Sequence, residues 1–426
     1  MDAQIVFLTL FLGIVSGQQP VALQVSAPVK SVRVLLGGQE VAVLTEPPWR
    51  AIVDFGPELA PRELTAVAFD AKGGEVARAA QILNLPRPTA EFEILLAADD
   101  VSLHWRHLMQ LRPSVATITL DGRALALDGT LHTRLPKLDR EQPHLLAAEM
   151  RFSDGFVARR EVVIESVRST SVGTQLTPIV VRETAPDHPS TWDGCLTTPA
   201  GAAVRTAAVE KPPALVIMVR SPDPRDVQQT LDRSRVMIMN RSTIPLDQGT
   251  IERILWPVAQ RYSNGGDTSV LFERTGDFSG SIAGILYLMR LKYAGKNEGI
   301  KGEFADAVAV AGIQAITGAQ RRAVVFVLSA TADSSRYDPA VVRRYLQSLG
   351  VPLFVWSLTG PRPELADTWG PVEDIGTLPK LEEATKRVRK ALDEQRVAWV
   401  DVDPLTALQL NAKESCGIAT MTRAAR

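Results

Sequence analysis

The chain of 426 residues lacks most of the features that mark an enzyme, a nucleic-acid binder or a membrane span. Charge of one sign is missing: 47 basic and 48 acidic side chains nearly cancel, and no long block of either sign occurs. Phosphate backbones need a clustered cationic surface, so nucleic acid is not an expected partner. No apolar run reaches the roughly 18 residues that a transmembrane helix requires, which argues against an integral span. There is no Gly-x-Ser-x-Gly nucleophile elbow and no Gly-x-x-x-x-Gly-Lys-Ser/Thr phosphate loop. Acidic residues occur with no spacing that singles out a general acid and base. The residues therefore point to no enzyme and no cofactor. Disorder is not expected either, because 45% hydrophobic and 22% charged residues suffice for buried cores and the length allows two or three domains.

Cysteine is scarce: only Cys195 and Cys416 occur. In an oxidising compartment such a pair reads equally as a bridge or as two buried, inert thiols, since spacing alone does not show that they meet. At the start, an apolar run from Ile5 to Val15 precedes Ser16-Gly17-Gln18. Val15 and Gly17 suit the minus-three and minus-one places of a cleavage site before Gln18, so residues 1–17 read as a signal peptide and the protein as exported, periplasmic or secreted. Asp2, with no Lys or Arg beside it, leaves an ordinary apolar strand as the other reading. No cysteine follows the run to carry a lipid anchor.

From Val21 to Val167 short apolar–polar alternations are separated by Gly, Pro and Asp, the period of strands and turns. Two stretches repeat. Val32 to Val43 parallels Ala116 to Leu127, and Ala66 to Arg78 parallels Ala147 to Arg159, each with a glycine-containing turn between two strands. Residues 18–86 and 87–167 are thus expected to be tandem Ig-like β-sandwiches, without the Cys-Trp-Cys core of antibody domains. Residues 168–213 read as a connector with an edge strand at Ile179 to Arg182. From 214 to 403 the pattern changes. The continuous apolar runs Ala214–Val219, Val236–Met239, Ala323–Leu328 and Leu353–Leu358 suit strands covered on both faces. Helical stretches at Glu303–Ile316, Pro339–Leu349 and Lys380–Gln395 separate or follow them, before a last strand at Val397–Val400. Asp338 as N-cap, Pro339 in the first turn and Gly350 past the end give the second helix its start and stop. This alternation specifies a doubly wound, mostly parallel α/β sheet, so the fold class is multidomain α+β, ending in a tail over 404–426.

Arg321 to Ser335, Val341 to Leu346 and Val351 to Ser357 together resemble the second half of a von Willebrand factor type A domain, in particular the VWFA-related exported proteins of acidobacteria. The resemblance implies a metal-dependent adhesion site at the carboxyl ends of the strands, with Asp-x-Ser-x-Ser after the first strand, a Thr from a second loop and a later Asp. Here those positions hold Arg220, Pro222 and Pro224, then Gly302-Glu303, then Ala330. Oxygen donors are what a hard cation needs, and an arginine repels it. The resemblance thus implies the fold with a degenerate, metal-free site. Arg220, Ser221, Asp223, Ser329, Thr331 and Asp333 would form its rim, a contact surface for other proteins of the envelope or extracellular space. The oligomeric state is not legible.

Two constellations compete with this reading. A literal Asp277-Phe-Ser279-Gly-Ser281 could hold Mg²⁺ in an adhesive role, although the same residue types are usual at a helix start. His104 and His107 could serve a metal or a hydrolase, yet residues three apart on a strand face opposite sides. Asn240-Arg-Ser242 fits a glycosylation sequon that is more often chance in a bacterial protein.

Overall fold

The computed structural model describes the chain outside residues 1–3, 12, 27–28, 87, 98, 140–141, 165–171, 185–191, 223–243, 248, 265–266, 281–283, 296–301, 329–331, 412–415 and 421–426. The proposed strand at Val236–Met239 and the sequon at Asn240 lie outside the described residues. The chain divides into two compact units, each assembled from separate stretches. One takes Met1–Arg87, Ala214–Ala315 and Arg322–Leu392, the other Pro88–Pro213, Ile316–Arg321 and Asp393–Arg426.

Seven strands open the first unit: β1 (Ile5–Phe7), β2 (Gln18–Val25), β3 (Ser31–Leu36), β4 (Gln39–Leu44), β5 (Arg50–Asp54), β6 (Arg62–Phe69) and β7 (Glu75–Leu83). They form two antiparallel sheets, β1-β2-β5 and β4-β3-β6-β7. Alternation sets the packing: Val32, Val34 and Leu36 of β3 point inward to meet Val21, Leu23, Val53, Leu64 and Ala66, while Arg33 points out. Gly37 and Gly38 turn the β3–β4 hairpin with φ of 57° and 83°, values that glycine adopts without a Cβ penalty. The opening residues, read as a signal peptide, form a strand in the structure. Ile5 and Phe7 pair with Val25 and Leu23, and with Val15 they are buried in the module core. The strand and the export signal are compatible readings of the same residues, because a short apolar run has the same composition in either.

The second unit opens with β8 (Ala90–Ala97), β9 (Asp100–His107), β10 (Pro113–Leu120), β11 (Arg123–Leu125), β12 (His132–Arg134), β13 (His144–Phe152), β14 (Val157–Ile164) and β15 (Val172–Gln175). The sheets β12-β9-β8 and β11-β10-β13-β14-β15 enclose Phe92, Leu103, Ile118, Leu146 and Met150, as expected of an Ig-like sandwich. Asp121 and Gly122, both at positive φ, turn β10 into β11 at the place corresponding to Gly37-Gly38. Short strands follow: β16 (Thr177–Glu183), β17 (Leu196–Thr197), β18 (Ala203–Val204) and β19 (Thr206–Glu210).

Returning to the first unit, the chain forms β20 (Ala214–Val219), β21 (Ile251–Asn264), β22 (Asp267–Arg274), β23 (Phe278–Ser279), helices α1 (Gly284–Arg290) and α2 (Phe304–Ala315), β24 (Arg321–Val327), α3 (Pro339–Ser348), β25 (Leu353–Ser357), β26 (Val372–Asp374) and α4 (Leu378–Asp393). The sheet order is β22-β21-β20-β24-β25-β26, with β23 beside β21. β20–β21, β24–β25 and β25–β26 pair in parallel, whereas β22 returns antiparallel along β21. β20 and β24 are buried along their whole length, as strands covered on both faces must be. The capping signals of α3 hold, since the Asp338 carboxylate accepts from Ala340 N and Val341 N.

The last strands correct the assigned boundaries. β27 (Gln395–Val400), β28 (Gln409–Leu410) and β29 (Ile418–Thr420) belong to the second unit rather than to the α/β sheet. β27 lies between β19 and β16, and β16 is an interior strand of the order β19-β27-β16-β29, not an edge. Periodicity identifies a strand but says nothing of which sheet receives it. Cys195 and Cys416 are joined, 221 residues apart in sequence, within a core with Trp192, Leu196, Val400 and Ile418. The connector strands β16 and β19 thus share a sheet with β27 and the tail strand β29, and β17 and β18 share a second with the tail strand β28.

Closing so long a loop by a bridge stabilises mainly by restricting the unfolded chain. Replacing both cysteines by alanine is expected to cost about 2–5 kcal/mol. A thermal-unfolding scan should show the corresponding transition several degrees lower, and an unreduced peptide digest of the parent should contain Cys195 linked to Cys416.

Candidate functional site

In chain order the strands of the large sheet read 3-2-1-4-5-6, and the direction of winding reverses between β20 and β24. Open α/β sheets place ligands at such a switch point, outside the carboxyl ends of the strands. Arg220 and Ser221 follow β20 there.

Arg220 does not stand on the rim. Its side chain folds into the sheet end and is 1% exposed. Nε donates to Leu288 O at 3.1 Å, one terminal nitrogen donates to Ser221 O at 2.8 Å, and the other donates to Leu291 O. Leu288 and Leu291 are at the end of α1, where helix carbonyls lack intrahelical partners and a cation is favoured. The guanidinium also lies 4.7 Å from the centre of the Trp256 ring, a cation–π distance. Trp256 meets Tyr293 edge to face at 5.3 Å, and the Tyr293 hydroxyl donates to Glu273 Oε2 at 3.0 Å. Burial lowers the Arg220 pKa to about 10, which still leaves it cationic at neutral pH. The residue in the first acidic position is therefore a permanent internal charge whose donors are spent on main-chain oxygens. Ser221 is buried as well, so neither residue serves as an exposed contact. Asp223, Ser329 and Thr331, with Ala330, lie outside the described residues.

Asp333 is exposed, yet its carboxylate is occupied as a helix cap. It accepts from Phe304 N (2.9 Å), Ala305 N (3.2 Å) and the Ser335 amide (3.0 Å) and hydroxyl (2.6 Å). Ser335 Oγ in turn accepts from Asp306 N, and the Asp306 carboxylate accepts from the amides of Arg336 and Tyr337. Burial outweighs those bonds and raises the Asp306 pKa. This lattice binds the loop after β24 to the start of α2.

The competing constellations fare differently from their sequence appearance. Asp277 grips Arg253 with two bonds of 2.7 and 3.0 Å, and Arg274 lies 3.7 Å away. A carboxylate already neutralised by two guanidinium groups is a poor start for a cation site. Ser279 sits in β23 rather than at a helix start, and Ser281 lies outside the described residues. His104 is exposed and His107 buried on opposite faces of β9, which removes the geometric basis for a histidine pair. His107 Nδ1 faces Met109 N at 3.1 Å and Nε2 faces Asp154 at 3.1 Å, so the ring donates from Nε2 and both nitrogens are occupied. Burial pushes Asp154 upward, but bonds from Phe156 N, Thr89 and His107 win and lower its pKa. Among the described residues no three His, Cys, Asp or Glu side chains converge in a way that could hold a metal ion.

One charged group was missed from sequence. Glu252 of β21 is fully buried, faces the same side as Ile254 and Trp256, and neither carboxyl oxygen has a hydrogen-bond partner among the described residues. Burial raises its pKa to about 8. The period of two along Ile251-Glu-Arg-Ile-Leu-Trp256 already placed it inward, and that was the signal to follow.

No family profile and no curated protein matches the chain. Among solved structures, the fibronectin(III)-like modules of Clostridium thermocellum CbhA match at 12% identity and TM-score 0.16, over 37% of this chain and 92% of theirs. The central fibronectin-III array of RIM-binding protein matches at 10% identity and TM-score 0.20, over 45% of this chain and 80% of its own. A beta-glycosidase from Bacteroides vulgatus matches at 10% identity and TM-score 0.22, and this chain spans 25% of that enzyme. These likenesses are weak and concern β modules; they carry no argument about activity.

Arg220→Met removes the donors while keeping much of the stem. It should destabilise the first unit by about 3 kcal/mol or more, because buried carbonyls lose their partners, with Arg220→Lys intermediate. Urea unfolding at neutral pH measures this. Glu252 supplies a pH signature. With a folded pKa near 8 against an ordinary value of 4.5, its contribution is fully present below pH 4.5 and is lost as pH rises to about 8. Glu252→Gln should therefore leave the melting temperature nearly unchanged at pH 5 and raise it at pH 8.5; equal shifts at both would exclude this titration.

Proposed function

We propose that the chain is a non-enzymatic, exported interaction protein in which a von Willebrand A-like sheet has an internal arginine in place of its metal. The observation that carries the proposal is Arg220, buried at the switch point with its donors on Leu288, Ser221 and Leu291 carbonyls. Support for the fold assignment comes from the strand order 3-2-1-4-5-6, the antiparallel edge strand β22 and the helices between the later strands. Support for export comes from the Cys195–Cys416 bridge, since such bonds persist in oxidising compartments. The two β modules act as spacers or docking surfaces, and the loop of Ala332, Asp333 and Ser334 remains as the exposed part of the sheet end for a protein partner.

Calorimetric titration of the intact chain with Mg²⁺ and with Mn²⁺ should give no heat and no change in melting temperature, because any ligand bound only by the folded state would raise it. Saturable binding of either ion would sink the metal-free reading. For the contact surface, Ala332→Arg places a bulky charge at an exposed position whose methyl side chain makes no hydrogen bond. It should abolish crosslinking to an envelope partner while leaving the melting temperature in place; undiminished crosslinking would move the contact elsewhere.

A further inference from the structure

The first β module turns an apolar face outward on its smaller sheet. Cross-strand neighbours share a face, and Val21, Leu23 and Val53 point into the core, so Pro20 and Ala22 of β2 and Ile52 of β5 point away from it. Pro20 stands directly opposite Ile52 in the ladder, and Ile52 is 66% exposed. On the other side of β2, Val6 of β1 extends the same face from its place opposite Gln24. Leu8, whose amide donates to Ala22 O, is exposed as well. Exposed apolar side chains scattered singly are ordinary, but a contiguous group of them marks a contact surface. The larger sheet of the module is arranged differently: its exposed Val43 is opposite Arg33, which pairs with Glu40 at 3.6 Å.

Charge identifies what lies over this face. Arg50 and Asp54 are on it too, each two residues from Ile52 in β5 and so about 7 Å along the strand to either side. Both are exposed, and neither forms an ion pair among the described residues; the Asp54 carboxylate accepts from Gly56 N at 2.8 Å. Stacking a second copy face to face, with its β5 antiparallel across a two-fold axis at Ile52, sets each Arg50 over the other copy's Asp54 and Ile52 over Ile52. The reverse orientation would set Arg50 on Arg50 and Asp54 on Asp54. Packed sheets lie about 10 Å apart, a gap that an arginine reaching toward a carboxylate spans. A patch that complements itself about an axis is what a closed dimer requires. A partner surface of one charge would match only Arg50 or Asp54 and be repelled by the other.

We propose that two copies of this chain dock through the outer face of β1, β2 and β5, with Ile52 at the two-fold axis and a reciprocal Arg50–Asp54 pair on each side of it. Pro20, Ala22 and Ile52 follow Gln18 in the chain, so the centre of the contact does not depend on the fate of residues 1–17. The dimer goes beyond the proposed sheet-end contact and does not rest on it.

Sedimentation equilibrium of the full chain over micromolar concentrations should show monomer and dimer in exchange, as suits an interface of modest size. Ile52→Asp, at an exposed position, should leave the melting temperature in place and weaken the dimer about tenfold or more, because it sets like charges against each other at the axis. Arg50→Glu and Asp54→Lys should each weaken it about tenfold, and the two together should restore the parent affinity to within about threefold, the signature of a direct pair. Where Asp54→Lys disturbs the turn at Gly56, Ile52→Asp and Arg50→Glu carry the test. A parent that stays monomeric throughout overturns the proposal, and so does a dimer indifferent to Ile52→Asp or a double charge reversal that fails to recover association in folded protein. A monomer that sediments with phosphatidylglycerol vesicles and loses them on Ile52→Asp would assign the face to lipid and equally overturn the dimer.

Discussion

The large sheet depends on a buried guanidinium at the point where its winding reverses. Arg220 stands where two strands part and satisfies carbonyls at the end of α1, with Trp256 beneath it. Taking a cation out of water is costly unless its donors are met, and here main-chain oxygens and an aromatic face meet them. A helix end that would otherwise need solvent can therefore pack against the sheet. The same contacts explain why this position cannot be both a structural plug and a flexible surface contact. Its polarity belongs to the interior.

The opposite situation prevails a few residues away. Glu252 is inside the same apolar layer as Ile254 and Trp256 without a partner for either oxygen among the described residues. Its carboxyl is held protonated over most of the neutral range, since a neutral acid is cheaper to bury than an anion. One sheet thus carries a buried charge that is fully served and a buried acid that avoids being charged. Together they show that the interior tolerates polar groups by two different physical routes, neither of which requires a bound ion.

Much of the architecture was legible because local chemistry and global position agree. Gly37-Gly38 and Asp121-Gly122 announce hairpins, and Asp338, Pro339 and Gly350 announce both ends of α3. The apolar runs of β20, β24 and β25 declare strands that are buried from end to end or nearly so. What was not legible is long-range. The run from Ile5 has the composition of a signal, and only its partners in β2 and β7 reveal a strand. Val397–Val400 reads as one more strand of the preceding domain, and only its ladders to β16 and β19 place it elsewhere. Arg220 was read as hostile to a metal and placed on the rim, but an arginine after a strand gives no sign of whether it turns outward or inward. That depends on the carbonyls of α1, which arrive some 70 residues later in the chain.

The interleaving of the two units has a bearing on how the protein is made. The second unit gathers its small sheet from residues 177–210 and from β27 and β29, so its first strands wait for partners encoded near the far end. Cys195 leaves the ribosome long before Cys416, and until then its thiol has no native mate. The small sheet therefore cannot assemble from the amino end inward, whereas the β8–β15 sandwich draws only on contiguous strands. Completion of the small sheet must await synthesis of β27, β29 and Cys416, and a chaperone or oxidant that shields an unpaired Cys195 during that interval would govern the yield of correctly joined molecules.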